Sequence, residues 1–308
     1  MQAGTEPEPR IVAAGAAAVR AAAAGAAAAR VVAACAVAAI LAAPAASADV
    51  LVEDDSNEAQ IMGYYAAAIA FTPVGSAPGR TFEAGLDLDY VPGLSAEDRT
   101  TTFAGAKVEN TNFTSILPRP HLRWRPDDRW LLEAGFIPAV HVFGLVPAMG
   151  AAAVTARFAG REDGVAWRAR GHYLQGDIEG PITCSDEAVA DPSNSLCYLG
   201  TPSDDHFLPK AYGLDFIAGA PRLGADGLAW YALAGYRHET LRFQTHFVNG
   251  FGRLDDQRLV ARLDRVSMAF GLTWSGWRGL RVSGEGSYAP DALATVRLGV
   301  SWGWGGAR

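Results

Sequence analysis

ALATVRLGVSWGW, residues 292–304, alternates between two kinds of side chain. The even positions are apolar and end in Trp302 and Trp304, whereas the odd positions are small, polar or charged apart from Leu293. Alternate side chains of a β-strand point to opposite faces of the sheet. A strand with an apolar outer face and a polar inner face is typical of a transmembrane β-barrel.

The same stretch resembles the assembly signal that closes the outer-membrane barrels of Gram-negative bacteria. That signal reads polar-x-Gly-x-x-aromatic-x-aromatic, and it is matched here by Arg297, Gly299, Trp302 and Trp304. The resemblance implies a barrel in the lipid of the cell outer membrane that is recognised by the outer-membrane barrel assembly machinery. Gly305, Gly306, Ala307 and Arg308 follow the aromatic residue that usually comes last.

Most upstream segments repeat this alternation, most clearly residues 80–91, 265–274 and 280–288. Residues 60–71 are apolar on both faces, and we assign them as the weakest strand. The pattern predicts an all-β, antiparallel, up-and-down barrel over residues 57–304, because open strand edges are not tolerated in lipid.

We expect twelve strands, with ten as the alternative, since both termini in the periplasm require an even number. A soluble β-sandwich also has alternating strands, but the aromatic residues near strand ends favour the membrane.

Residues 1–48 have the layout of a secretory signal peptide. Arg20 and Arg30 precede an apolar stretch, and Ala46-Ser47-Ala48 is a suitable cleavage site. Two other interpretations are a lipidation motif ending at Cys35 and a lasting membrane anchor. Cleavage after Ala48 would leave residues 49–56 as an acidic, periplasmic lead-in to the barrel.

The two remaining cysteines, Cys184 and Cys197, lie in the polar segment 179–206. Export to an oxidising compartment favours a disulfide between them over two free thiols. Long connections of outer-membrane barrels lie outside the cell, so we expect this segment at the cell surface. Its acidic residues follow no regular calcium-loop pattern.

The net charge of −7 argues against nucleic acid as a partner. No Gly-rich phosphate loop occurs, and we expect no cofactor. His238, Glu239 and His246 have spacings that fit no standard metal site, so ordinary strand positions are favoured and no metal is expected. We expect a monomer.

The predicted inner face carries two sets of charges. The basic cluster comprises Arg119, Arg123, Arg157, Arg168 and Arg170. The acidic set comprises Glu83, Asp87, Asp89 and Glu133. These charges either pair and fill the barrel or line an open constriction in which arginines attract anions. The favoured function is a passive channel for small solutes, with a preference for anions, and the alternative is a closed structural or surface-interaction barrel.

An enzyme is the least favoured class. His246-Phe247-Val248-Asn249-Gly250 resembles the His-x-Ser-Asn-Gly segment of outer-membrane phospholipase A, a twelve-stranded barrel. In that family the histidine activates the serine. Val248 stands at the nucleophile position here and has no hydroxyl, so the residues favour a strand end and an Asn-Gly turn and no catalytic residue is assigned.

Overall fold

Ten antiparallel strands close into a barrel in the computed structural model, which describes residues 49–75, 81–95, 99–101, 107–108, 116–141, 144–161, 164–223, 227–290 and 293–305. In chain order the elements are β1 (Val50–Leu51), α1 (Asn57–Ala68), β2 (Phe82–Tyr90), β3 (Thr100–Thr101), β4 (Lys107–Val108), β5 (Ile116–Trp124), β6 (Trp130–Ile137), β7 (Val146–Gly160), β8 (Ala166–Gly180), α2 (Asp186–Ala190), β9 (Asp205–Leu223), β10 (Leu228–Gln244), β11 (Phe247–Val248), β12 (Leu254–Asp255), β13 (Arg258–Ser275), a 3-10 turn (Trp277–Gly279), β14 (Leu280–Ala289) and β15 (Leu293–Trp304).

The barrel runs in the order β2, β5, β6, β7, β8, β9, β10, β13, β14 and β15. It closes where β15 pairs with β2, from Trp304 opposite Phe82 to Val296 opposite Tyr90. Ten strands match our alternative, and the favoured count of twelve is wrong. The difference has two causes: residues 60–71 are not a strand, and β3 and β4 pair with each other outside the barrel.

The helix α1 replaces the strand that we expected over residues 60–71. Ser56 caps it, with its side chain accepting a hydrogen bond from the Ala59 amide at 3.2 Å, and alanines favour the helical state. Nearly every residue from Glu58 to Ala68 is buried. A helix that is buried on all sides has no polar stripe to reveal its period, which is why the strand assignment failed.

The two ends of the barrel differ. At one end the connections between strands are four or five residues long, and Phe82, Asp127 and Trp304 lie there; this is the short-turn end. At the other end lie residues 138–141, 144–145, 181–204 and 245–257 and the described part of residues 91–115, together with the three-residue connection between β14 and β15; this is the long-loop end. Strands β7, β8, β9, β10 and β13 have 15 to 19 residues and extend beyond their shorter neighbours at the long-loop end.

The outer face of the barrel is an apolar band. Val266, Met268, Phe270 and Leu272 on β13 are each more than two-fifths exposed, as are Leu298 and Val300 on β15. Tryptophans mark the short-turn side of the band, where Trp124 and Trp304 both stack on Phe82 with ring centroids 6.2 Å apart. Exposed tyrosines mark the opposite side, at Tyr90, Tyr212, Tyr236 and Tyr288. Two aromatic girdles around an apolar band are a property of outer-membrane barrels.

None of the helices among the described residues combines the length and the apolar character that a helical membrane span requires.

A disulfide braces residues 181–204 at the long-loop end. Cys184 and Cys197 are bonded and fully buried, and they pack against Phe247 of the neighbouring connection. The two connections also share backbone hydrogen bonds, from Thr201 to Val248 at 2.8 Å and from Asp204 to His246 at 2.8 Å. Residues 181–204 and 245–257 therefore form one cap.

The predicted signal peptide, residues 1–48, lies outside the described residues, as do its alternatives at Cys35.

Candidate functional site: a filled lumen

Residues 56–75 occupy the lumen, and we call this segment the plug. Its first half is α1, which packs in the long-loop half of the barrel. Its second half, residues 69–75, is extended and lies among the charged side chains of the short-turn half. Thr72 and Gly75 reach side chains on β10 and β14. The plug divides the lumen into two zones with opposite chemistry.

The first zone surrounds α1 and is apolar; we call it the helix zone. Tyr65 packs on Phe207, with ring centroids 5.8 Å apart. The helix also belongs to one buried cluster with inward residues of seven strands: Leu117, Ile137, Met149, Ala153, Leu174, Ile178, Phe207, Leu241, Leu259, Ala261 and Leu263. This zone is built as the core of a soluble protein is built.

The polarity of the strands inverts in the helix zone. On β8, Arg170 and His172 point inward at the level of the apolar band, but farther along Leu174 and Ile178 are the buried residues. The outward side chains become polar over the same stretch, at Gln175, Asp177 and Glu179. A part of a strand whose outer face is polar lies outside the lipid. The helix zone therefore lies beyond the membrane, inside the raised wall of the long strands.

The second zone surrounds residues 69–75 and holds a network of ion pairs; we call it the charge zone. Arg123 contacts Glu83 at 2.8 Å and Glu133 at 3.2 Å. Arg170 contacts Glu133 and Asp215, both at 2.8 Å. The remaining pairs are Arg119 with Asp89, Arg281 with Glu83, and Arg297 with Asp89 and Glu285. Two histidines join the network: His121 lies 3.0 Å from Asp87, and His172 lies 3.5 Å from Asp215.

Three arginines of this network also hold the plug by its backbone. Arg119 donates to the carbonyl of Ala70 at 2.7 Å, and Arg170 donates to that of Phe71 at 3.0 Å. Arg123 donates to the carbonyls of Val74 at 2.6 Å and Pro73 at 3.1 Å. An extended segment without strand partners needs acceptor and donor partners when it is buried. The arginines supply them, and each guanidinium links wall carboxylates to plug carbonyls.

Side chains of the plug complete the contact. The Thr72 hydroxyl donates to Glu285 at 2.5 Å and accepts a hydrogen bond from Arg297. The Gly75 amide donates to the Tyr231 hydroxyl at 3.1 Å. Gly75 has φ +100°, and a Cβ there would lie 2.7 Å from Ser283 Oγ, so a larger residue would strain this end of the plug.

Three small cavities lie beside the plug. A cavity of about 20 Å³ lies beside Arg123, Glu133, Arg168 and Tyr231, and two others of about 10 Å³ lie along α1 and residues 69–72. Such volumes hold one or two water molecules. None of these three cavities is large enough for a solute to pass.

The predicted charge sets meet in this network to different degrees. Arg119, Arg123 and Arg170 lie in it, together with Glu83, Asp87, Asp89 and Glu133. Arg168 lines the cavity of about 20 Å³. Arg157 is half-buried on β7, where it pairs in register with Arg168. Arg297 of the assembly signal is fully buried in the network, whereas Trp302 and Trp304 are exposed on the outer face and Gly299 packs near Asp87.

The two predicted charge sets did not include several members of the network. Asp215, Arg281 and Glu285 lie at inward positions of strands that we had recognised. The alternation of inward and outward positions along a strand was therefore enough to identify them. Arg237, Glu239 and Arg265 form a looser group at the boundary with the helix zone, with contacts of 3.6 and 3.7 Å. Arg265 also donates to the Gly63 carbonyl at 3.2 Å. No signal in the side-chain pattern identified the plug carbonyls.

The residues weighed for catalysis or metal binding are not brought together. His238 points outward, where it contacts Asp264 at 2.8 Å and the ring of Tyr212, whereas Glu239 is buried inside. His246 and Val248 lie in the cap, on and beside the short strand β11. Within the ranges that the structure covers, no group of three metal-ligating side chains is formed.

Comparison with known proteins finds similarity at the level of the fold. No protein-family model and no curated protein matches the chain. Among solved structures, the Pseudomonas putida toluene transporter TodX is 11% identical, with a TM-score of 0.32, and the match covers 77% of this chain and 92% of that chain. The outer membrane channel DcaP of Acinetobacter baumannii is 11% identical, with a TM-score of 0.21, and the match covers 75% and 82%.

A closed antiparallel barrel, an apolar outer band and two aromatic girdles are present in the described chain. These features are consistent with an outer-membrane β-barrel.

Proposed function

We propose that this protein is an outer-membrane transport barrel that its own plug closes, and that it conducts small solutes only when the plug moves. The observation that carries the proposal is the plug itself, which fills both zones of the lumen. The barrel wall does not need a plug for closure of its strand ladder, because the ring of ten strands is complete without it. A removable segment in a complete ring is suited to a gate.

The wall of the charge zone is suited to hydrated solutes once residues 69–75 leave. Arg119, Arg123 and Arg170 would then present donors that now bind plug carbonyls. Residues 59–75 remove no charge when they leave, because they contain no Asp, Glu, Lys or Arg. Paired arginines and carboxylates would remain around the bore, as in channels lined by charged side chains.

The preference for anions is a finer part of the proposal. The released N–H donors favour it, but every arginine that contacts the plug also contacts a carboxylate, and this weakens the attraction. The reversal potential of the open barrel in a salt gradient measures the preference directly.

A permanently closed structural barrel is the second candidate. The specific observation in its favour is the number of buried hydrogen bonds between arginines and plug carbonyls, which would oppose plug movement.

Conductance in planar bilayers separates the two candidates. We compare the wild-type barrel with a variant that weakens the plug in the helix zone, Tyr65→Ala with Ile69→Ala. Both side chains are nearly fully buried against the wall. A matched control removes two lipid-facing side chains, Val266→Ala with Leu298→Ala, which are more than half exposed.

The transport barrel predicts rare openings for the wild type and the control, and openings at least about ten times more frequent for the plug variant, since about 1.4 kcal/mol changes an equilibrium tenfold. Folding and insertion are verified by heat-modifiable migration. Silence of the folded, inserted plug variant would support the permanently closed barrel. Steady conductance of the wild type would show that the plug does not close the lumen.

A further inference from the structure

We infer that the mature amino-terminal end of this chain lies on the outside of the cell and not in the periplasm. We call this topology outward threading. This inference concerns topology and does not depend on conduction. It replaces our expectation that residues 49–56 are a periplasmic lead-in. It rests on the end of the barrel at which the described chain begins and on the direction in which the chain then crosses the lumen.

The chain is at the long-loop end where its described part begins. Strand β1 pairs in parallel with β13, with Val50 opposite Leu259 and Leu51 opposite Val260. The Val52 amide adds a hydrogen bond to the Val260 carbonyl at 3.0 Å. Leu259 and Val260 are at the start of β13. Because β13 and β15 are both antiparallel to β14, they run in the same direction, and the start of β13 is therefore at the end opposite Trp304.

The chain then descends through the lumen. Helix α1 lies in the helix zone. Ala70 is at the level of Arg119, and Val74 is at the level of Arg123, which is four residues closer to the short-turn end of β5. The next described strand, β2, begins at Phe82 beside Trp304 and Trp124. Between Val52 and Phe82 the chain therefore crosses the barrel from the long-loop end to the short-turn end.

The three cavities beside the plug hold one or two waters each, whereas an extended chain is several ångströms wide. Asp49, the first described residue, is exposed and directly precedes the pairing of Val50 with Leu259. The described chain thus begins on the side of the long connections.

The long-loop end is the outer one in barrels of this class, because their short turns face the periplasm. The amino-terminal run Asp49–Asp55 then forms part of the outer surface. Asp49, Glu53, Asp54 and Asp55 are exposed there, which suits a segment in water and not one in a lipid-covered wall.

Cysteine accessibility in intact cells tests the topology. In a Cys35→Ala background the native Cys184 and Cys197 are oxidised, so single new cysteines report their own position. The reporters are Asp49→Cys and Asp54→Cys. Phe251→Cys, 82% exposed in the cap, is the outer control, and Asp128→Cys in an exposed short turn is the inner control. The probe is a membrane-impermeant maleimide.

Outward threading predicts that the reporters and Phe251→Cys react in intact cells and that Asp128→Cys reacts only after lysis. Reporters that react only after lysis, while Phe251→Cys reacts in intact cells, would overturn the proposal. Reporters that stay unreactive after lysis would also overturn it, because the structure exposes both. Labelling of Asp128→Cys but not Phe251→Cys in intact cells would show the opposite orientation and overturn it equally.

Discussion

The helix zone and the charge zone hold the same plug by different physics. In the helix zone, α1 buries apolar side chains against a wall of Leu, Ile and Phe, and the stabilisation comes from packing. In the charge zone, residues 69–75 offer backbone carbonyls to arginines that are fixed by carboxylates. Apolar packing lies in the part of the barrel that rises above the lipid, and ion pairs lie in the part that lipid surrounds.

The difference shows how one alternating strand can serve two environments. Inside the apolar band the outer face must be apolar, so polar residues are confined to the lumen and must pair there. Beyond the band the outer face meets water, and the lumen can become an ordinary core. A mutation should therefore be costly in the charge zone through unpaired charge and in the helix zone through a cavity.

The largest effect is expected from Arg170→Met in the charge zone. The arginine is fully buried between Glu133 and Asp215 and also holds the Phe71 carbonyl. Its loss leaves two carboxylates with fewer partners, and we expect about 3–5 kcal/mol of destabilisation. Urea unfolding of the detergent-solubilised barrel measures this. Arg242→Met, at an exposed outward position of β10, is the control and should change stability by less than about 0.5 kcal/mol. Equal effects of the two substitutions would contradict a buried network.

The next effect is expected in the helix zone from Leu241→Ala. Leu241 is fully buried in the cluster that includes α1. The cavity left behind should cost about 2–5 kcal/mol, measured by the same unfolding experiment. Leu298→Ala, 59% exposed on the lipid face, should cost far less, because detergent or lipid tails fill the space. A larger loss for Leu298→Ala would mean that the inward and outward faces have been assigned the wrong way round.

A smaller effect is expected from Thr72→Val, which keeps the shape of the plug but removes its hydroxyl. Glu285 and Arg297 each lose one partner and keep each other. We expect a loss of about 1–2 kcal/mol and more frequent openings in planar bilayers. Thr240→Val, at a half-buried outward position, is the matched control. If the two variants had the same stability and opening frequency, the plug hydroxyl would not belong to the network.

The smallest effect is expected from Tyr64→Phe in α1. The Tyr64 hydroxyl donates to the Pro92 carbonyl, and burial, with a smaller contribution from Tyr90, raises the pKa of Tyr64 from 10.0 to about 12. At neutral pH the variant should lose about 1 kcal/mol.

The pH dependence follows from the sign of this shift. A raised folded-state pKa means that Tyr64 stabilises the protein fully below pH 10 and that this contribution is lost as pH rises through about 12. The stability difference between the wild type and Tyr64→Phe should shrink over that range, as measured by unfolding at several pH values. A difference that is constant from neutral pH to pH 12 would mean that the hydroxyl does not titrate with a raised pKa.

The sequence was sufficient for the barrel and its faces, because a period of two is visible wherever one face meets lipid. Val266, Met268, Phe270 and Leu272 show it directly, and their exposure agrees. It was sufficient for the inward position of Arg119, Arg123 and Arg170 for the same reason.

The sequence was not sufficient for the plug. Helix α1 is apolar on all sides, so its period was hidden, and only the Ser56 cap and the alanines indicated a helix. Residues 69–75 are held through backbone carbonyls, which every residue has, so their side chains carry no signal. The inversion on β8 could have been recognised, because the outward sequence changes to Gln175, Asp177 and Glu179 directly after Tyr173.

Hydrogen exchange of the plug in the detergent-solubilised barrel tests the central claim most directly. The claim is that residues 56–75 fill the lumen and are held in both zones. It predicts that amides of Ile61–Ala68 exchange as slowly as those of β10 and β13, since opening them requires the helix to leave its packed site. Exchange as fast as that of the exposed residues 249–253 would contradict the account and would indicate a lumen that the plug does not fill.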